Sequence, residues 1–104
     1  MKIFTMHKLK PGASMEDYKK WSREVDHPES INQPEIQTFE VYEILGSVDS
    51  DEGSPEYDII EVIDVENLED IRKVEERLKS FLEDEWMARW VEKSTLVNLY
   101  GEKI

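Results

Sequence analysis

His27 stands where chemistry could be done. It follows Asp26 and precedes Pro28 inside an aromatic-rich stretch, Tyr18 to Pro34, that reads YKKWSREVDHPESINQP. Histidine titrates near neutrality without special help, which makes it the first candidate for a general acid or base. The residue before a proline is pushed away from the α region. A helix carrying Tyr18, Trp21 and Val25 on one face is therefore expected to stop near His27. A helix C-terminus stabilises a cationic imidazole, so His27 would be held rigidly and still reach a cavity. Asp26 could orient the ring, although sequence neighbours often point apart. The plainer reading is a histidine that caps its own helix and bonds to water or a loop carbonyl.

Glu61 lies between Ile59 and Ile63 on one face of an alternating segment. A carboxyl among apolar neighbours is desolvated, which raises its pKa and suits it to acid or base work. A salt bridge to Arg23, or to another subunit, would explain it equally simply. His7 falls on the same expected face, as a second pocket donor or proton shuttle, or else as a satisfied polar residue of a strand. Tyr42 and Tyr57 would line and orient a flat aromatic ligand, though tyrosines more often pack with a satisfied hydroxyl. Thr5, Thr38, Asn98 and Tyr100 share that face and are candidate substrate contacts, and Trp21 is another. Trp21, Trp86 and Trp90 are read most simply as core or dimer contacts. His7, His27 and Glu61 are too scattered to form a metal motif. There is no phosphate-binding Gly-rich loop, G-x-S-x-G elbow, cysteine cluster or H-x-x-x-H helix, so neither metal nor cofactor is expected.

The elements that must position these residues follow from periodicity. Residues 2–9 alternate and form a strand; Lys10-Pro11-Gly12 is turn chemistry. Ser14 caps a helix running to about Asp26, with Asp17 at the capping-box position. A loop with Pro28, Asn32 and Pro34 follows. Residues 36–45 and 57–65 form a hairpin around a polar loop, Gly46 to Pro55. Asn67 caps a long helix with Leu68, Ile71, Val74, Leu78 and Leu82 as its stripe. The phase shifts near Asp84, and Trp86, Trp90 and Val91 suggest a short further helix. Residues 95–100 form the last strand.

The order β-α-β-β-α-β predicts an α+β, ferredoxin-like domain spanning residues 1–104: a four-stranded antiparallel sheet with its helices on one face. Phe4, Met6, Phe39, Val41, Ile60 and Val62 are expected to pack on the helices. The opposite face, with Thr5, His7, Thr38, Tyr42, Tyr57, Ile59, Glu61 and Ile63, and with Asn98 and Tyr100, is too apolar for plain solvent surface and too polar for a dry core. A second subunit covering it would make a dimeric α+β barrel around a cavity.

Composition narrows the partners. The chain has 104 residues, 38% of them hydrophobic, with three Trp, four Tyr and three Phe, so it can fold despite 37% charge. The net charge of -12 argues against nucleic acid and anionic membrane surfaces, which need clustered Lys and Arg. No cysteine is present, which excludes disulfides and thiolate chemistry. No apolar run is long enough to span a bilayer, and the N-terminal residues lack the apolar core of a secretory signal. A cytoplasmic protein is expected by default.

The pattern K-P-G-x-S-x-E-D-Y-x-x-W-x-x-x-x-D-H-P over Lys10 to Pro28, then Pro34, then Thr38 to Tyr42, then Tyr57 to Val65, resembles the REDY-like (HapK) family. The Tyr18, Trp21 and His27-Pro28 portion is also similar to EthD-type proteins. The resemblance covers the chain to roughly residue 90. It implies a dimeric α+β barrel and an association with prodigiosin-type pigment or related aromatic biosynthesis, at condensation or cyclisation steps. Relatives in that superfamily include cofactor-free monooxygenases, cyclases and dehydratases with a pocket histidine, which favours His27. Together these readings lead to a cofactor-independent enzyme, acting by proton transfer on a hydrophobic aromatic or polyketide-like molecule. His27 would be the acid or base, Glu61 and His7 its partners. The alternative is a homodimer that binds a ligand, or is purely structural, and turns nothing over.

Overall fold

Strands β1 (Lys2–His7), β2 (Ile36–Glu43), β3 (Ile59–Val65) and β4 (Val97–Gly101) form one antiparallel sheet in the order β2-β3-β1-β4. The computed structural model describes residues 1–50 and 55–104. The expected hairpin loop falls partly on 51–54, outside the described residues. The strand order and the two helical crossovers are those of the ferredoxin-like α+β fold. The strands are shorter than expected. Leu9 only bridges to Val91, Tyr57 precedes β3, and β4 starts at Val97 after a 3-10 turn at Lys93–Thr95. Among the described residues no helix is long and apolar enough to cross a membrane.

The first helical crossover does not stop at His27. Helix α1 (Met15–Trp21) starts at Ser14, whose Oγ accepts the Asp17 N–H at 3.2 Å. A π-helical turn, Ser22–Asp26, then leads directly into α2 (His27–Ile31). The wide turn is closed by the His27 N–H reaching back to the Ser22 carbonyl. Pro28 sits in the first turn of α2, where its missing N–H is least costly. The helix therefore continues past the proline, and Asn32 N–H closes it on the Pro28 carbonyl at 3.2 Å.

The second crossover begins as expected. Asn67 Oδ1 accepts the Asp70 N–H at 2.9 Å, and α3 (Leu68–Arg77) buries Ile71 and Val74. The phase shift near Asp84 is a second π-helical segment, Phe81–Met87, which runs into α4 (Ala88–Trp90). It turns Trp86 and Trp90 inward together.

On β1 and β3 the two faces of the sheet are the reverse of the expectation. Ile3, Thr5 and His7 of β1, and Ile59, Glu61, Ile63 and Val65 of β3, are buried beneath the helices. Phe4, Met6, Ile60 and Val62 lie on the other, open face, only half-buried. Both faces of the central strands are apolar, so alternation alone cannot choose between them. Strand β2 is also irregular. A bulge lies between Ile36 and Thr38, and beyond it Phe39 and Val41 lie on the helix side as expected, opposite Ile63 and Glu61. Thr38, Glu40 and Tyr42 then face outward.

Two apolar clusters fill the space between sheet and helices. Ile3, Ile36, Phe39, Ile63 and Val65 pack against Ile71, Val74 and Leu78 of the second crossover. Tyr18, Trp21, Trp86 and Trp90 pack with Ile59 and Val91, and Trp21 stacks on Phe81 with ring centroids 6.0 Å apart.

Candidate functional site

The first crossover presents Tyr18, Ser22, Asp26 and Ser30 to the interior, all of them buried. An ordinary α-helix drifts from a strict four-residue repeat. The π-helical turn at Ser22–Asp26 is wider and brings every fourth residue back to the same side. Asp26 thereby points at the sheet, toward Glu61 at the centre of β3. Both carboxyls line one cavity of about 230 Å³ between the helices and the sheet. Its remaining wall is mostly apolar, with Phe39, Ile63, Val74 and Leu78 prominent and Trp86 beside the carboxyls. A second polar group lies across β1, where Thr5 Oγ1 donates to Asn98 Oδ1 at 2.7 Å, with Tyr100 nearby on the wall.

Burial controls the electrostatics. Asp26 is 4% and Glu61 5% exposed. Glu61 is raised well above the usual carboxylate range, first by burial and then by the charge of Asp26. Asp26 is raised from 3.8 to about 7 by burial, partly offset by the Ser30 hydroxyl, which donates to its Oδ1 at 3.5 Å. Its Oδ2 has no hydrogen-bond partner among the described residues. Two carboxyls sharing a low-dielectric cavity do not both ionise readily. Near neutrality the pair therefore retains a proton, so one member can donate while the other accepts.

Behind Glu61 lies an aromatic group that includes His7. The His7 Nδ1 lies 3.0 Å from the Lys8 carbonyl. A carbonyl only accepts, so Nδ1 carries the proton and Nε2 is left as a bare acceptor. His7 is fully buried, which lowers its pKa and keeps the ring neutral. Its ring stands edge-on to Trp86 and Tyr18, with centroids 5.6 and 6.1 Å away. The Tyr18 phenol is pushed far up by burial and by the charges of Glu61 and Asp26, against the influence of the Trp86 indole. Its hydroxyl, His7 Nε2 and Trp86 Nε1 lack hydrogen-bond partners among the described residues.

The structure sorts the residues singled out in the sequence. Glu61, Thr5, Asn98 and Tyr100 line the cavity, which sits under the helices and not on the open sheet face. Among the described residues Glu61 makes no ion pair, and Arg23 is exposed. His7 is packed behind the cavity wall. His27 is exposed and outside it, its ring edge-on to Phe39 at 5.8 Å. Because the helix continues through Pro28, the chain does not turn to aim His27 inward; Asp26 occupies the inner side. Thr38 hydrogen-bonds Asp64, and Tyr42 bonds Glu40 at 3.0 Å, both on the open face. Tyr57 is half-buried ahead of β3, away from the cavity, and Trp21 belongs to the aromatic core. Asp26, offered by the sequence only as a residue orienting His27, is the site residue that sequence reading missed. Its signal was the four-residue repeat Tyr18, Ser22, Asp26, Ser30, hidden by the more hydrophobic Tyr18, Trp21, Val25 series, of which Val25 is 41% exposed. Among the described residues no group of three or more His, Cys, Asp or Glu side chains is placed to hold a metal ion.

Comparison with known proteins bears on the fold. A family model described as REDY-like protein HapK matches residues 1–99. The crystal structure of HapK from Hahella chejuensis superposes with a TM-score of 0.74 at 19% identity, over 100% of this chain and 93% of that one. An ethyl tert-butyl ether d (EthD) family protein from Bacillus halodurans superposes with a TM-score of 0.68 at 13% identity, over 99% and 97% respectively. No curated protein sequence matches the chain.

Proposed function

This chain belongs to the REDY-like HapK family, and we propose that it is a small-molecule enzyme working by general acid–base chemistry at Asp26 and Glu61. The observation that carries this reading is the pair itself: two buried carboxyls, both raised, lining one largely apolar cavity, whose only other carboxylate among the described residues is the exposed Glu75. An apolar pocket with a few convergent polar groups suits an uncharged, flat, hydrophobic ligand. The ionised member removes a proton from a carbon beside a carbonyl. The protonated member donates to that carbonyl oxygen, giving an enol. Returning both protons regenerates the ketone. Alternatively the enol O–H proton goes back to the carboxylate as the enol carbon attacks a second carbonyl or expels a β-hydroxyl, and the other carboxylic acid protonates the new alkoxide or the departing hydroxyl, giving condensation, cyclisation or dehydration. Thr5, directly opposite Glu61 across the β1–β3 pair, and Asn98 beside it hold a polar group of the ligand next to the carboxyls. Aromatic or polyketide-like secondary metabolism is the setting this chemistry fits.

The functional unit is a homodimer. The open sheet face carries Phe4, Met6, Ile60, Val62 and Leu99, and Leu99 is 52% exposed in the protomer. Such a surface is covered at low cost by a second copy related by a twofold axis.

The test needs no knowledge of the natural substrate. The protein is incubated in D2O with uncharged aryl ketones, and exchange of the protons beside the carbonyl is followed by NMR. At least one ketone should exchange faster than in buffer, and Asp26→Asn or Glu61→Gln should remove about 100-fold or more of that rate. Ketones that bind the cavity without accelerated exchange would leave a ligand carrier. One observation favours a reading without turnover: Tyr18, Trp21, Trp86 and Trp90 cluster with Ile59 and Val91 in the neighbouring half of the interior, as a structural core would.

A further inference from the structure

The carboxyl pair accounts for Asp26 but leaves His27, the other half of the Asp-His-Pro sequence, without a role. His27 belongs to a different surface. Lys19, Arg23 and His27 follow one another at four-residue intervals along the first crossover, displaced by one position from the buried Tyr18, Ser22 and Asp26. The π-helical turn that aligns the inner row aligns this outer row as well. The three side chains rim an open depression of about 540 Å³ between the helix and the edge of the sheet. Its floor is mainly apolar, formed by Val41 of β2, Ile59 of β3 and the ring of Tyr18, with the buried Ser22 as its one polar member. One carboxylate, Glu43, reaches the rim, where it pairs with Lys19 at 2.5 Å. Arg23 has no ion-pair partner among the described residues, and the ring contact of His27 is with Phe39.

This arrangement runs against the character of the chain. Acidic side chains outnumber basic ones 25 to 13, giving a net charge of -12. A random patch of its surface should be acidic. Here two cations and an imidazole, held on one rigid helix, rim an apolar floor. A concave apolar floor with a cationic rim is complementary to a small amphiphile with one anionic end. The volume is in the range of a single small-ligand site.

We propose that this depression is a second ligand site, binding an apolar molecule through a carboxylate or phosphate group on Arg23, Lys19 and His27. Arg23 supplies the planar fork that pairs with either anion. Lys19 joins once the incoming anion displaces Glu43, and His27 donates from the far end of the row. The apolar part of the ligand lies on Val41 and Ile59. Phe39 separates this site from the inner cavity, since His27 packs on its ring and its side chain lines the cavity wall. The site therefore stands independently of the acid–base chemistry at Asp26 and Glu61.

The test is an amide NMR titration of the full chain with benzoate, phenyl phosphate and, as the uncharged control, benzyl alcohol. Both anions should shift the amides of Lys19 to His27, Val41 and Ile59 more strongly than the alcohol does. Arg23→Gln should weaken the anions by about two- to fivefold, the range of one exposed charge pair. Glu43→Gln, which frees Lys19, should tighten them by about the same factor. Tighter binding of benzoate would point to a carboxylic acid ligand, and of phenyl phosphate to a phosphate ester. Asp26→Asn should leave these affinities unchanged, so loss of ketone exchange and loss of anion binding are separable failures. The proposal is overturned if benzyl alcohol binds as well as benzoate, if Arg23→Gln changes nothing, or if the shifts map elsewhere on the chain.

Discussion

Replacing Asp26 by asparagine should make this protein more stable at pH 8 and leave it nearly unchanged at pH 4. The carboxyl of Asp26 is raised from 3.8 to about 7 in the folded protein, chiefly by burial. Between those values the unfolded chain has lost the proton and the folded chain still holds it. Unfolding then releases a proton, so stability falls as pH rises across that window and levels off above about 7. At about 1.4 kcal/mol per unit, the full effect is up to about 4 kcal/mol. Asparagine is nearly isosteric and never ionises, so it does not incur that loss. It gives up only the long Ser30 hydrogen bond, 3.5 Å, at about 1 kcal/mol or less. The assay is urea denaturation of both proteins at several pH values between 4 and 8. Their difference cancels the contributions that both share, including the general repulsion of an acidic chain. The expected curve starts near zero or slightly negative at pH 4 and rises toward several kcal/mol in favour of the variant by pH 8. A flat difference, or a wild type that gains on the variant as pH rises, would show that Asp26 is an ordinary ionised carboxylate in the folded protein.

Other perturbations follow from the same geometry. His27→Ala should leave ketone exchange within about twofold of wild type, because His27 lies outside the cavity; a loss comparable to Glu61→Gln would restore His27 as the acid or base. Phe39→Ala should cost about 3–5 kcal/mol in denaturant unfolding, since the ring is buried between the cavity and the core. Leu99→Asp on the open sheet face should shift sedimentation from dimer to monomer while leaving circular dichroism unchanged; a dimer that persists would move the interface elsewhere. Tyr18→Phe should hold or raise the melting temperature, because it removes a buried hydroxyl without a partner.

The β-α-β-β-α-β order was legible because each element carries a local signal. Ser14 and Asn67 cap their helices, and Ile71 and Val74 keep a regular helical stripe. Glu61 was legible as a site residue for a similar reason, being a carboxyl between Ile59 and Ile63 on one side of a strand. The faces of β1 and β3 were not legible, because both sides of these strands are apolar and the side that the helices cover is not a local property. On β2 the alternation of Phe39 and Val41 did mark the helix side. The end of the first helix misled for the opposite reason. The rule that a proline stops a helix is local, and the π-helical turn before it allowed the chain to continue. The same turn exchanged the roles of neighbours: Asp26 went in, His27 stayed out. A four-residue repeat of Tyr, Ser, Asp and Ser has too little hydrophobicity to compete with Tyr18, Trp21 and Val25 as a buried stripe.

Difference infrared spectroscopy of the carboxyl stretch at pH 7 reaches the central assertion most directly. Wild type should show a protonated carboxylic acid band at neutral pH that is reduced or lost in Glu61→Gln and altered in Asp26→Asn. A spectrum in which every carboxyl is ionised at pH 7, or a band indifferent to both substitutions, would contradict a proton-holding Asp26–Glu61 pair and remove the basis for acid–base catalysis in this cavity.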